Sequence, residues 1–100
     1  MEDFRGAGLI ADALAQREVE HVFALVSIHN IPILDAMNRL GKTQISGVRH
    51  EQAGTHAADG YARASGKLGV MIASTGPGTS NTVTGLYEAQ YGSSRGLVIT

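Results

Sequence analysis

Short, nearly continuous apolar runs alternate with amphipathic segments along the whole chain. One run, at residues 22–26, reads Val-Phe-Ala-Leu-Val, and similar runs follow at 70–73 and 97–99. A strand that is apolar on both faces is typical of a parallel sheet covered by helices on each side. The alternation therefore predicts a doubly wound α/β fold, with a mostly parallel sheet, helices on both faces and right-handed crossovers.

The helical segments carry apolar stripes and recognisable end signals. Apolar residues at three- and four-residue spacing predict a first helix that ends near Glu18. A second helix is predicted between Asn30, a candidate N-cap, and Gly41, with Pro32 in its first turn. An alanine-rich third helix is predicted over Glu51–Ser65, and its small residues would allow close contact with neighbouring backbone. The remaining predictions are strands at 22–26, 44–48, 70–73 and 97–100, and a Gly-Pro-Gly turn at 75–81 that leads into a helix.

Composition argues against several classes of partner. The 8 basic and 9 acidic residues are scattered, so no basic patch for nucleic acid or an anionic membrane is visible. There is no cysteine, hence no disulfide framework and no thiolate metal site. The histidines lack a metal-ligand spacing; they are His21, His29, His50 and His56. We expect no metal site in this segment and a reducing, cytoplasmic location.

The two ends of the sequence carry separate expectations. Residues 1–5 include two acids and precede no continuous apolar stretch, so neither a secretory signal nor a membrane span is predicted. The last predicted strand has no covering element after it, which would leave apolar surface and an unpaired sheet edge exposed. We therefore expect residues 1–100 to be the N-terminal part of a truncated domain.

Three polar segments follow predicted strands, where ligands bind in open parallel sheets. They are residues 27–30, 49–51 and 75–81. Glu51 begins a helix, whose dipole favours the ionised carboxylate, whereas desolvation beneath a ligand opposes it. From these arguments alone, a solvated glutamate that complements the dipole is the simpler interpretation. The bend at Gly76, Pro77 and Gly78 is equally compatible with ligand binding and with a plain structural turn.

Four motifs occur together and in order: VRHEQAG at 48–54, AADGYAR at 57–63, GK at 66–67 and TGPGTSN at 75–81. In combination they resemble the pyrimidine-binding (Pyr) domain of thiamine diphosphate-dependent enzymes of the acetolactate synthase type. The similarity extends from about residue 9 to residue 100. The resemblance implies that residues 1–100 are the N-terminal part of such a domain, in a lyase or carboligase that acts on a 2-oxo acid such as pyruvate.

The resemblance also implies roles for individual residues. The family's glutamate hydrogen-bonds a ring nitrogen of the cofactor's aminopyrimidine, which makes Glu51 the expected catalytic residue. Pro77 and Asn81 are expected to lie against the cofactor. His29 matches a motif histidine and is a candidate proton relay on the substrate side. A loop histidine with no role in proton transfer would fit the sequence equally well.

Further implications concern parts of the enzyme beyond this sequence. The family holds the diphosphate and Mg²⁺ in a separate domain with a Gly-Asp-Gly motif, which residues 1–100 lack. A second subunit would then complete the active site, in a homodimer or tetramer, and the isolated chain would be inactive. If FAD is a further cofactor, its binding site would be formed by residues that follow residue 100. Two alternatives stay open: a non-catalytic structural or interaction module of the same fold, and one subunit of a split decarboxylase.

One stretch departs from the family pattern. Relatives commonly read Gly-x-Pro-Gly-x-His-Asn after the first strand, whereas residues 24–30 read Ala-Leu-Val-Ser-Ile-His-Asn. If the replaced glycine required a left-handed backbone, Ser27 would cost about 1 to 2 kcal/mol or reshape the loop. The substrate side is therefore where we expect this chain to depart from the family geometry.

Overall fold

The computed structural model describes residues 5–100, which form a four-stranded parallel sheet with helices on both faces. The elements are α1 Gly6–Gln16, β1 His21–Ala24, α2 Ile31–Leu40, β2 Gln44–Gly47, α3 Glu51–Ser65, β3 Gly69–Ile72, α4 Pro77–Ser80, α5 Val83–Tyr91 and β4 Gly96–Ile99. The strand order is β2-β1-β3-β4, and every neighbouring pair is parallel. The predicted doubly wound α/β fold is confirmed. The first four residues of the segment considered for a targeting signal lie outside the described residues.

The two central strands divide the core between the faces of the sheet. One cluster joins α1 and α2 to four fully buried strand residues, which are Val22, Ala24, Val70 and Ile72. On the opposite face, Phe23 and Met71 pack with Ala58 of α3. Because helices cover both faces of the sheet, the strand side chains that point to either face can be apolar. This explains why the apolar runs show no alternation.

The third helix lies very close to the sheet. A Cβ added to Gly54 would overlap the sulfur of Met71, and one added to Gly69 would overlap the backbone carbonyl of Ala58. Glycine at these positions therefore permits the close contact between α3 and β3. The expectation that small residues of α3 approach neighbouring backbone is confirmed.

Element ends follow their predicted signals, with local shifts. Gly41 and Gly66 end α2 and α3 in the left-handed conformation, with φ of 72° and 73°. The first helix ends at Gln16, before the predicted Glu18, which itself adopts a φ of 60°. Strands 44–48, 70–73 and 97–100 are each displaced or shortened by one residue, and the helix after the Gly-Pro-Gly turn is split into α4 and α5.

The prediction of a first strand reaching residue 26 is wrong, because β1 ends at Ala24. The N–H of Leu25 still donates to the carbonyl of Ile72 in β3 at 3.1 Å. The chain then turns away in a loop that the side chain of Asn30 holds together. The amide of Asn30 donates to the carbonyl of Leu25 (2.9 Å), and its oxygen accepts from the backbone N–H of Ser27 (2.9 Å). Asn30 does occupy the N-cap position of α2, but its side chain makes no capping hydrogen bond to the helix.

Candidate functional site

The strand order creates a crevice at one edge of the sheet. From β1 the chain turns to α2 on one face, whereas from β2 it turns to α3 on the other. In a sheet ordered 2-1-3-4 this reversal lies between the carboxyl ends of β1 and β3, where doubly wound proteins bind ligands. The three polar segments predicted from the sequence, at 27–30, 49–51 and 75–81, all follow strands at this edge.

Glu51 is the first residue of α3 and only 8% exposed. Its Oε1 accepts a hydrogen bond from the side-chain amide of Asn81 at 3.1 Å. Its Oε2 lies 2.9 Å from the point that a Cβ on Gly78 would occupy. The carboxylate is thus buried against the Gly-Pro-Gly bend, and the simpler interpretation of a solvated first-turn glutamate is wrong.

The hydrogen-bonding capacity of this carboxylate is not used up. An ionised carboxylate can accept about four hydrogen bonds. Within residues 5–100, Asn81 is the one side chain that donates to Glu51, and Oε2 is neither paired nor fully enclosed. A buried carboxylate with an unpaired oxygen at a crevice is suited to a ligand that offers a hydrogen bond.

The bend that faces Glu51 has a defined backbone. Gly76 has a φ of 63°, which glycine adopts without strain, and Pro77 opens the short helix α4. The hydroxyl of Thr79 donates to the carbonyl of Ser74 at 2.9 Å, and the backbone N–H of Asn81 donates to the carbonyl of Pro77 at 3.0 Å. These bonds fix the backbone that carries the Asn81 side chain. Pro77 and Asn81 themselves remain exposed.

Two features near Glu51 escaped the sequence analysis. His50 caps α3, since its Nδ1 accepts from the backbone N–H of Gln52 at 3.0 Å. Histidine is an uncommon cap, so preference rules do not flag it. The hydroxyl of Thr55 donates to the carbonyl of Glu51 at 2.8 Å, a bond within the helix that no sequence signal marks. Both contacts fix the backbone that carries the buried carboxylate.

Because β1 lies between β2 and β3, we assign the loop after β1 to the other wall of the crevice. His29 is exposed there, and no hydrogen bond in the described part of the chain joins it to Glu51 or Asn81. The non-glycine residues with positive φ in that part are Glu18 and Ser93. Ser27 is therefore free of the left-handed strain considered for the glycine replacement.

A second buried carboxylate, Asp59, has a structural role at the opposite edge of the sheet. It accepts hydrogen bonds from the hydroxyl of Ser94 and from Nε of Arg63 (3.0 Å), and Arg63 also bonds the carbonyl of Glu88 at 3.0 Å. The bond from Ser94, joined by Arg63, lowers the pKa of Asp59 against the opposing effect of burial. The network ties α3 to α5 and to the loop before β4. Asp59 and Arg63 belong to the AADGYAR motif, whereas no sequence signal marks Ser94.

Some concavities of the described residues lie away from the crevice. One of about 330 Å³, lined by Arg17, Tyr61 and Lys67 among others, lies at the amino edge of the sheet. One of its three cationic side chains, Lys67, is already paired with Glu20 at 3.2 Å. We place the candidate site at the carboxyl edge because the buried, incompletely paired carboxylate and the strand reversal coincide there.

Across residues 5–100, no group of three or more histidine, aspartate or glutamate side chains is arranged to hold a metal ion. No helix in the same range is long and apolar enough to cross a membrane.

Comparison with known proteins points to one family. Residues 4–100 match the model described as "Thiamine pyrophosphate enzyme, N-terminal TPP binding domain". The chain is 45% identical over 98 residues to an acetolactate synthase of Arthrospira platensis, which covers 95% of this chain. It is 39% identical over its whole length to an acetolactate synthase large subunit of Buchnera aphidicola subsp. Schizaphis graminum. It is 46% identical over 98 residues, 95% of the chain, to the large subunit of Parasynechococcus marenigrum.

The match covers a small part of each relative. The chain spans 17%, 18% and 16% of the length of these three proteins.

Proposed function

The chain belongs to the thiamine pyrophosphate enzymes, whose N-terminal TPP binding domain it matches, and we propose that it contributes the pyrimidine-binding part of an acetolactate synthase-like lyase or carboligase. The substrate in this proposal is a small 2-oxo acid such as pyruvate. The observation that supports it best is the buried carboxylate of Glu51, held by Asn81 and leaving one oxygen available.

The residues of the crevice fit the pyrimidine half of the cofactor. The ring nitrogen of an aminopyrimidine needs a carboxyl group that can share a proton, and Glu51 presents one at the start of a helix. Gly78 leaves open the space beside Oε2 that any larger residue would fill. Glu51 would hold the ring, with Asn81 and Pro77 against the cofactor. When bound, thiamine diphosphate supplies the carbanion chemistry at its thiazolium carbon.

Within this proposal Glu51 is the catalytic residue and Asn81 a positioning residue. Because the Asn81 amide occupies Oε1, Oε2 is the oxygen that remains to bind the ring and to hold or release a proton. Burial strengthens that interaction, since little water competes for the carboxylate. His29 remains a candidate for proton transfer on the substrate side, from the opposite wall.

The remaining components would come from outside the described residues. We propose that the diphosphate and Mg²⁺ are held by another domain, and that a second subunit of a homodimer or tetramer completes the site. The isolated 100-residue chain would then be inactive. FAD and a cytoplasmic location are proposed from the family resemblance alone.

The test is Glu51→Gln in the full-length protein, with turnover of pyruvate as the readout. Loss of the proton-sharing group should lower turnover by about 10² to 10⁴, the usual size of an acid/base contribution. The matched control is Glu20→Gln, which makes the same change at an exposed position on the amino edge of the sheet. Near-normal turnover of the Glu51→Gln enzyme, with its fold intact by circular dichroism, would contradict the proposal.

A further inference from the structure

Ser27 carries a polar atom that the fold does not use. Its Oγ is buried and has no hydrogen-bond partner. Among the described residues that are not exposed, no other buried side-chain nitrogen or oxygen is unpaired. Buried hydroxyls are normally paired, because an unpaired one loses its bonds to water without replacement. An unpaired hydroxyl in a folded protein therefore needs a reason.

A loosely built loop is not the reason. The N–H of Ser27 donates to Oδ1 of Asn30 at 2.9 Å, and its carbonyl accepts from the N–H of Ile31 at 3.0 Å. Asn30, which makes the first of these bonds, is only 3% exposed. The backbone of Ser27 is thus fixed and fully paired, and only the hydroxyl is left over.

The residues next to Ser27 are exposed, although its hydroxyl is buried. Val26 and Ile28 on either side of it are 60% and 85% exposed, and Ser27 as a whole is half-buried. A serine side chain has three staggered rotamers, so the hydroxyl can change direction while the backbone bonds are kept.

The position of Ser27 relates it to the candidate site. Strand β1 lies between β2 and β3, so the Glu51–Asn81 hydrogen bond joins residues that follow the two neighbours of β1. The loop after β1 leads to the opposite face of the sheet from α3. Ser27 and Glu51 therefore belong to opposite walls of one crevice.

We propose that Ser27 is a ligand-binding residue, whose hydroxyl turns into the crevice and hydrogen-bonds a polar atom of the small molecule that Glu51 holds from the other wall. The proposal rests on the proposed function. The bonded atom belongs either to the cofactor or to the carboxylate or carbonyl of the 2-oxo acid. In both cases the unpaired hydroxyl of the ligand-free protein becomes paired when the ligand binds.

The test uses Ser27→Ala in the full-length protein and has two opposed expectations. Removing an unpaired hydroxyl should raise the thermal midpoint of the ligand-free protein by roughly 1 to 3 °C. Removing a ligand contact should weaken binding about 3- to 10-fold, the usual range for one hydrogen bond. Calorimetry with thiamine diphosphate and Mg²⁺ tests whether Ser27 binds the cofactor. The KM for pyruvate tests whether Ser27 binds the 2-oxo acid.

Two further variants keep the test decisive. Ser27→Cys has nearly the same shape but a weak hydrogen-bonding group, and it replaces the alanine variant should that fail to fold. Ser65→Ala removes a hydroxyl that is already paired with the carbonyl of Tyr61 (2.6 Å) at the far end of α3, and should leave ligand binding unchanged.

The outcomes separate this inference from the proposed function. Weaker thiamine diphosphate binding identifies the cofactor as the partner of Ser27, and a raised KM with unchanged cofactor binding identifies the 2-oxo acid. If both values stay at wild-type level while Glu51→Gln loses cofactor binding, the inference about Ser27 is wrong and the proposed function stands. If neither Glu51→Gln nor Ser27→Ala affects binding, both are wrong.

Discussion

Gly78 offers a direct test of the geometry around Glu51, because its only substituent is hydrogen. In Gly78→Ala the new Cβ would lie 2.9 Å from Oε2 of Glu51 and 3.2 Å from Cβ of Ser74. Ordinary van der Waals contact begins at 3.4 Å, so the carboxylate oxygen must retreat by about half an ångström. The end of a glutamate side chain moves easily, whereas the backbone that carries Ser74 does not.

The two consequences differ in size. The loss of unfolding free energy should be about 1 kcal/mol, at the low end for overpacking, because a flexible side chain absorbs most of the clash. Cofactor binding should fall much further, since the displaced oxygen is the one proposed to meet the pyrimidine. We expect the Kd for thiamine diphosphate to rise by at least about 10-fold, which corresponds to roughly 1.4 kcal/mol.

Urea denaturation and calorimetry with Mg²⁺ on the full-length protein measure these two quantities. Gly60→Ala is the matched control, because Gly60 lies within α3 and a Cβ there meets nothing within 4 Å. That control should gain about 0.5 to 1 kcal/mol from helix propensity and bind the cofactor normally. Wild-type affinity of the Gly78→Ala protein would refute the assignment of Oε2 as the ligand-facing oxygen.

Two further predictions concern the stability of the fold. Asp59 has a lowered pKa in the folded protein, so its stabilising bonds to Ser94 and Arg63 are present above the unfolded-state value of 3.8 and lost as the pH falls through the lowered value. The gap in urea midpoint between wild type and Asp59→Asn should therefore be constant near neutral pH and shrink on acidification below about pH 4, and a gap independent of pH would contradict this role. Gly69→Ala should lose more than about 3 kcal/mol of unfolding free energy or fail to fold, because its Cβ meets the rigid backbone carbonyl of Ala58. A soluble variant with an unchanged thermal midpoint would show that α3 can move away from β3.

The elements were largely predictable because their signals are local. Helix-ending glycines such as Gly41 and Gly66 act within a turn, and α3 has the predicted bounds Glu51–Ser65. The wrong prediction for the end of β1 also has a physical reason. Residues 25 and 26 are apolar enough for a strand, and the N–H of Leu25 still bonds β3. The side chain of Asn30, several residues later, pairs with the carbonyl of Leu25 and the N–H of Ser27, where a continuing strand would pair with its neighbours. Propensity cannot register a contact of that kind.

The site was predictable only in part. The motif resemblance identified Glu51 and Asn81, but the hydrogen bond between them joins residues 30 positions apart and depends on the strand order. The unpaired hydroxyl of Ser27 and the contact of Ser94 with Asp59 have no signature in the chain, because each depends on how neighbouring elements pack.

The amino-acid sequence by itself determined the α/β class, the ends of α2 and α3 and the family, since apolar periodicity, capping residues and motifs are properties of short segments. Only the tertiary structure decided that Glu51 is buried, and that one of its oxygens is held by Asn81 and the other faces Gly78. The physical reason is that burial and hydrogen-bond pairing arise between segments distant in the chain, and the order of strands in the sheet decides which segments meet.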